Sequence, residues 1–209
     1  DAEECTICLN GQPVPSFTDG WYVDKSLKTV PLPTLHQGEN ILDVIVPLSK
    51  RSNLEWMYLL GDFGVTVKGR VKKLSAPVRE LAFGSFTHQG LPFYTGNLTY
   101  EFDLPAKNGT IELRAGWYAG ALLEVYCDGQ LRDSIVFSPY TVKLEGLSDG
   151  NHRIGLKFYG TRQNGFGPIH HDLYVDYYQD PNSWRSNGQK WSYEYQLKDF
   201  GILRTPEVR

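Results

Sequence analysis

One methionine and three cysteines are all the sulfur residues in 209 positions. Three thiols cannot close a disulfide framework, because one is always left over. Cys5 and Cys8 stand three apart in a strand-like stretch, which turns their side chains to opposite faces. A Cys5-x-x-Cys8 redox pair needs a helix N-terminus, and none is legible there. All three are read as plain packing thiols. There is no run of about 18 apolar residues, so no helix is expected to cross a bilayer. Charge is modest, 22% of residues with a net −3 and no basic cluster, which argues against a nucleic-acid partner. With 41% hydrophobic residues, a collagen, a disordered tail and a coiled coil are excluded as well. No signal peptide opens the chain at Asp1, and the expectation is a mature protein or a piece of a longer one.

Aromatics, glycine and proline are abundant instead. Thirteen Tyr, five Trp, twenty-one Gly and twelve Pro favour strands and turns over helices. Strand signals cover Thr6–Leu9, Ile41–Val46, Leu98–Leu104, Thr110–Arg114, Leu122–Cys127, Ser134–Phe137 and Tyr140–Leu144. They continue at His152–Tyr159, Leu173–Tyr178, Trp191–Leu197 and Phe200–Leu203. Asn53–Leu60 is the one stretch with helical character, stopped by Gly61. Roughly a dozen short strands make an all-β sandwich or jelly roll.

The chain also echoes itself. Thr6-Ile7-Cys8-Leu9-Asn10-Gly11-Gln12 is followed by Leu35 and by Gly38-Glu39-Asn40-Ile41-Leu42. Glu124-Val125-Tyr126-Cys127-Asp128-Gly129-Gln130 is followed by Leu147 and by Gly150-Asn151-His152-Arg153-Ile154. Each copy reads as strand, tight turn, connection, glycine turn and strand. Extra strands precede only the second copy. Residues 1–75 therefore read as the latter part of a sandwich or an N-terminal extension, and residues 76–209 as a complete one.

Catalytic signatures are missing. Asp62-Phe63-Gly64 and Asp199-Phe200-Gly201 match a kinase tripeptide without its companion loops, and no G-x-S-x-G, H-E-x-x-H or P-loop occurs. Glu55, Asp62, Asp172 and Asp176 are the candidates for a glycosidase carboxylate pair, whose separation of about 5–10 Å no sequence shows. The adjacent His170 and His171 point opposite ways on a strand, so one of them would need Asp172 or His152 to hold a metal. No cofactor is expected, and a structural calcium has no spacing to support it.

Aromatics beside turns offer more. Rings stack on the C–H faces of sugars while neighbouring polar groups take the hydroxyls. Trp191, Tyr193 and Tyr195 alternate with polar residues and look like a buried strand face. Trp184, in a loop, and Trp117-Tyr118, between Gly116 and Gly120, are better placed to be exposed. The polar loop Gly160–His171 is where a sandwich would keep its function. The expected ligand set is Trp117, Tyr118, Arg162, Asn164, His170 and Trp184.

The segments Asn53–Val65, Gly90–Gly96 and Arg162–His171 resemble the C-terminal region of large bacterial rhamnosidase-like glycoside hydrolases. There they are similar to galactose-binding-like β-sandwich modules of the glycoside hydrolase family 2 sugar-binding type, over about Leu9–Leu203. The resemblance implies a galactose-binding-like jelly roll, with part of a second sandwich at the N-terminus. It implies a non-catalytic carbohydrate-binding module that is secreted, periplasmic or on the bacterial cell surface. Its partners would be a poly- or oligosaccharide and the parent's catalytic domain, with neither nucleic acid nor membrane. The alternatives are a structural accessory domain without sugar binding and a small glycan-active β-sandwich enzyme.

Overall fold

Two short runs of alternating apolar residues, each ended by a tight turn, organise the two units of the chain. A computed structural model describes residues 4–15, 17–50, 56–171 and 188–209. The units are Asp1–Leu60 and Gly61–Arg209. The described secondary structure is almost wholly antiparallel β, as the turn-rich composition predicts.

In the first unit β1 (Thr6–Leu9) lies between β2 (Gln12–Val14) and β5 (Leu42–Ile45), and β3 (Trp21–Tyr22) pairs with β4 (Asp24–Lys28). Its core is small: Ile7, Leu9 and Val14 are buried, with Cys5, Val30, Leu32, Leu35 and Val44 packed around them.

The second unit begins with a hairpin, β6 (Gly64–Lys68) and β7 (Val71–Ser75). Then follow β8 (Leu98–Ala106), β9 (Thr110–Arg114), β10 (Tyr118–Ala119), β11 (Leu122–Cys127) and β12 (Gln130–Ile135). The rest are β13 (Thr141–Glu145), β14 (Gly150–Tyr159), a one-turn helix α1 (Gln163–Phe166), β15 (Gly201–Ile202) and β16 (Glu207–Val208). One sheet has the order β12-β11-β14-β8 and another β13-β9-β16, while β10 pairs with β15. Alternation along the strands sends Leu123, Val125, Cys127, Ile154, Leu156 and Phe158 from the first sheet into one core. Ile111, Leu113, Val142 and Leu144 enter it from the second. Fully burying side chains of this size stabilises by about 1.5–3 kcal/mol each. This is an antiparallel sandwich.

The internal echo is a structural repeat. Leu9 opposes Leu42 as Cys127 opposes Ile154, and Ile7 opposes Val44 as Val125 opposes Leu156. Both turns carry positive φ at two successive residues: 52° and 74° at Asn10-Gly11, 51° and 79° at Asp128-Gly129. That backbone matches the twist of the flanking strands, and asparagine, aspartate and glycine tolerate it. The order β2-β1-β5 thus reproduces β12-β11-β14.

Some expectations fail. Residues 56–60 form no helix, and 51–55 lie outside the described residues. Trp191–Leu197 is irregular, so Tyr193 is exposed instead of sharing a buried face with Trp191 and Tyr195. The strand read at Ser134–Phe137 runs from Gln130 to Ile135, because the Asp128-Gly129 turn restarts pairing at once. Leu173–Tyr178 lies outside the described residues. Of the thiols, Cys127 alone is buried, and Cys5 and Cys8 are half-buried.

Candidate functional site

The hairpin β6–β7 and the irregular segment 191–199 frame a groove of about 290 Å³ in the second unit. That is close to the lower end of ligand-site volumes, roughly 300–1,000 Å³. Val65, Thr66 and Val67 line it from β6, with Thr87, His88 and Pro92 beside them and Glu194, Tyr195 and Leu197 opposite. The hairpin turn brings Gly69 next to Glu194. Arg70 lies 5.8 Å from the Tyr193 ring centre, and the Lys72 ammonium 5.2 Å from that of Tyr195. Such cation–π contacts hold the hairpin at about 0.5–1 kcal/mol each when exposed.

Aromatic packing sets the far wall. His170 stacks on Trp191, with ring centres 4.7 Å apart, and tilts against Tyr195 at 4.6 Å, while Phe93 meets Tyr195 edge-on at 5.4 Å. The His170 Nδ1 lies 2.9 Å from the Ser192 carbonyl. His170 is therefore a brace behind the groove. Tyr193, 70% exposed, precedes the lining residue Glu194 in the chain. His88 Nε2 is 2.9 Å from an Asp199 carboxylate oxygen, which orients the imidazole. The groove combines the Tyr195 ring, braced from behind, with a carboxylate, an imidazole and the Thr66 hydroxyl.

The other expected residues sit elsewhere or are already engaged. Asn164, 1% exposed on α1, donates to the Lys198 carbonyl at 2.8 Å and accepts from the Lys198 N–H at 2.9 Å. Both ends of its amide are spent on backbone. The Tyr118 hydroxyl donates to the Ile135 carbonyl at 3.0 Å, and burial raises its pKa. Arg162 is exposed, and its carbonyl begins α1 by accepting from the Phe166 N–H at 2.8 Å. Trp117 is 58% exposed, but the Arg204 guanidinium lies 4.0 Å from its ring centre. The hollow beside it holds about 20 Å³, room for a single water. Trp184 lies outside the described residues, as do Glu55, Asp172 and Asp176. Asp62 is exposed on the surface, 3.6 Å from Arg79.

His152, the remaining metal candidate, closes the second repeat. Its Nδ1 is 2.6 Å from Asp128 Oδ2 and its Nε2 is 2.8 Å from the Ser148 carbonyl. Both are acceptors, an arrangement that the doubly protonated imidazolium satisfies at both nitrogens. Asp128 Oδ1 also accepts the Arg153 N–H at 3.0 Å. Cys127, Asp128 and His152 offer ligand atoms within 4.8 Å, and burial raises the thiol's pKa and keeps its proton on. The first unit builds the same clip from amides. Asn10 donates to Asn40 at 3.1 Å, Asn40 donates to the His36 carbonyl at 2.8 Å, and Asn10 Oδ1 accepts the Ile41 N–H at 2.8 Å. The same turn is thus fastened by amides in the first unit and by a histidine–aspartate pair in the second.

The ionic clip makes the second unit sensitive to pH. The hydrogen bond to Asp128, then that to Ser148, raises the His152 pKa, and the bond from His152 lowers that of Asp128. The histidine's contribution is complete below its unfolded value of about 6.5 and fades as pH rises through the raised folded value. The aspartate's is complete above about 3.9 and fades as pH falls through the lowered one. Thermal unfolding of the chain should therefore shift to lower temperature as pH climbs past neutrality. His152→Asn, which copies Asn40, should remove that dependence. An unchanged alkaline fall in the variant would assign it to another group.

The sequence concealed the groove because Trp191-x-Tyr193-x-Tyr195 mimics strand alternation. The usable signal was His88 beside the Gly90 turn. No family model matches the chain, and no curated protein does. Among solved structures it is similar to the GH2 beta-galacturonidase of Eisenbergiella tayi bound to galacturonate. Identity is 22% and the TM-score 0.34, over 51% of this chain and 18% of that one. It is also similar to the rhamnosidase of Novosphingobium sp. PP1Y, at 12% identity and TM-score 0.41, over 98% of this chain and 20% of that one. The chain spans about a fifth of each of these two structures.

Proposed function

We propose that this chain is a non-catalytic carbohydrate-binding module of a secreted bacterial glycoside hydrolase, of galactose-binding-like type, and that a glycan lies in the groove of the second unit. The observation that carries this reading is the meeting of aromatic and polar side chains there. Tyr195 lines the groove and the exposed Tyr193 neighbours the lining Glu194 in the chain, while Glu194, His88 and Thr66 offer partners for hydroxyls. Glu194 is the one carboxylate among the described lining residues, which favours binding over a two-carboxylate hydrolysis. An open groove of this size suits weak recognition, with Kd roughly micromolar to millimolar.

Affinity gels loaded with plant and host polysaccharides test it, followed by titration of the retained glycan. Tyr193→Ala should weaken binding by about 1–3 kcal/mol, by analogy with bases stacked on aromatic rings, which is tenfold or more in Kd. The melting temperature should fall only slightly, because the ring is mostly in solvent and its exposed contact with Arg70 is worth about 0.5–1 kcal/mol. A panel without retention, or binding indifferent to both Tyr193→Ala and Glu194→Gln, would leave a structural accessory domain as the reading.

A further inference from the structure

The two copies of the repeat differ together at three matched positions. By their strand registers, Cys127, Asp128 and His152 of the second copy stand where the first has Leu9, Asn10 and Asn40. Leucine and asparagine are not zinc ligands, whereas all three replacements are. Asp128 Oδ2 is common to the group, 2.6 Å from His152 Nδ1 and 3.8 Å from Cys127 Sγ. Both polar side chains are also held from behind. The Ser148 carbonyl accepts from His152 Nε2 at 2.8 Å, and the Arg153 N–H donates to Asp128 Oδ1 at 3.0 Å. Outer hydrogen bonds of this kind orient the ring and the carboxylate of a metal site and leave the inner atoms to the ion. Cys127 and His152 are buried, while the Asp128 carboxylate is more than half exposed and gives an ion its way in.

We propose that Cys127, Asp128 and His152 bind one borderline-soft divalent ion, zinc above all, through thiolate, carboxylate and imidazole, with water as the fourth ligand. Sulfur and nitrogen ligands select zinc over calcium and magnesium, which take oxygen. Zinc bonds of about 2.0–2.3 Å set tetrahedral ligand atoms roughly 3.3–3.6 Å apart. The separation of Sγ and Oδ2 is already near that spacing. Nδ1 and Oδ2 part by less than about 1 Å when the exposed carboxylate rotates to reach it. Binding is an exchange of ions. Zinc enters, and the thiol proton and the proton between Nδ1 and Oδ2 leave to solvent. The ion then fastens the turn in place of that second proton. None of the three residues lines the groove, so the site stands or falls independently of glycan binding.

Cobalt(II) tests the site, because thiolate-to-cobalt charge transfer absorbs in the near ultraviolet. The whole chain, stripped of metal by a chelator and kept reduced, should take up one equivalent of cobalt with that band, and zinc should abolish it. Cys5→Ser combined with Cys8→Ser leaves Cys127 as the single thiol and should keep the band. Asp128→Asn combined with His152→Asn rebuilds the amide clip of the first unit. Its zinc affinity should fall by at least the roughly hundredfold that loss of an outer partner can cost. Zinc should raise the melting temperature of the unaltered chain and not that of the amide variant. Three results would each overturn the proposal. They are no charge-transfer band in the unaltered chain, a band lost with Cys5 and Cys8, and a melting temperature indifferent to saturating zinc.

Discussion

Replacing Phe158 with alanine should cost the Gly61–Arg209 unit about 3–5 kcal/mol, the usual range for a buried phenylalanine. The ring is 0% exposed and meets Phe86 edge-on, with centres 5.7 Å apart. Gly120 also lies against it. A Cβ at that glycine would lie 2.2 and 2.5 Å from two Phe158 ring carbons and 2.8 Å from the Tyr159 carbonyl oxygen. Gly120→Ala alone should therefore cost about 1–3 kcal/mol through overpacking. In the Phe158→Ala background two of those three collisions vanish. The double variant should then be more stable than the sum of the single effects implies, by an amount a denaturant-unfolding cycle can resolve. Strict additivity would mean that the ring and the glycine do not compete for the same space.

Asn164→Ala is the second large expected loss, about 2–3 kcal/mol, because it strips two hydrogen bonds from the backbone at Lys198. The Lys198 carbonyl keeps the Thr87 hydroxyl at 2.9 Å, but its N–H is left without the Asn164 acceptor. Asn164→Asp separates the two bonds, since a carboxylate accepts from the N–H and cannot donate to the carbonyl. It should not recover the loss at neutral pH, because it sets a buried, unpaired carboxylate oxygen against the Lys198 carbonyl. Thermal unfolding reads both variants. The anchored residue follows Leu197 and is close to Tyr195, so loosening it should also weaken the proposed glycan binding modestly. Lost glycan affinity without any loss of stability would restore Asn164 to the role of a ligand contact.

The fold was legible where local chemistry decides it. Thr110–Arg114 and Leu122–Cys127 fall on their expected boundaries, because alternating apolar residues end there at turn residues. The repeat was legible because a turn with two positive φ angles leaves few residue choices. The site was not. Asn164 and Tyr118 look like ligand residues in sequence, yet their polar atoms satisfy backbone groups far along the chain. Long-range hydrogen bonds leave no periodicity to read. Trp117 is exposed as expected, but its ring face is occupied by Arg204, 87 positions away. The hairpin β6–β7 escaped notice for a different reason. Its sequence alternates, but all five side chains of β7 remain exposed, so no apolar stripe marks the second strand.

That same exposure has a thermodynamic consequence. A two-stranded hairpin that buries little opens at low free-energy cost, and here it forms one side of the groove. Only the fraction of molecules with the hairpin seated can bind, so the apparent Kd is the intrinsic one divided by that fraction. On the proposed reading, the β7 strand thus sets a ceiling on affinity without itself lining the groove. Selection for tighter or weaker retention can act on Val71–Ser75 and leave every contact residue unchanged.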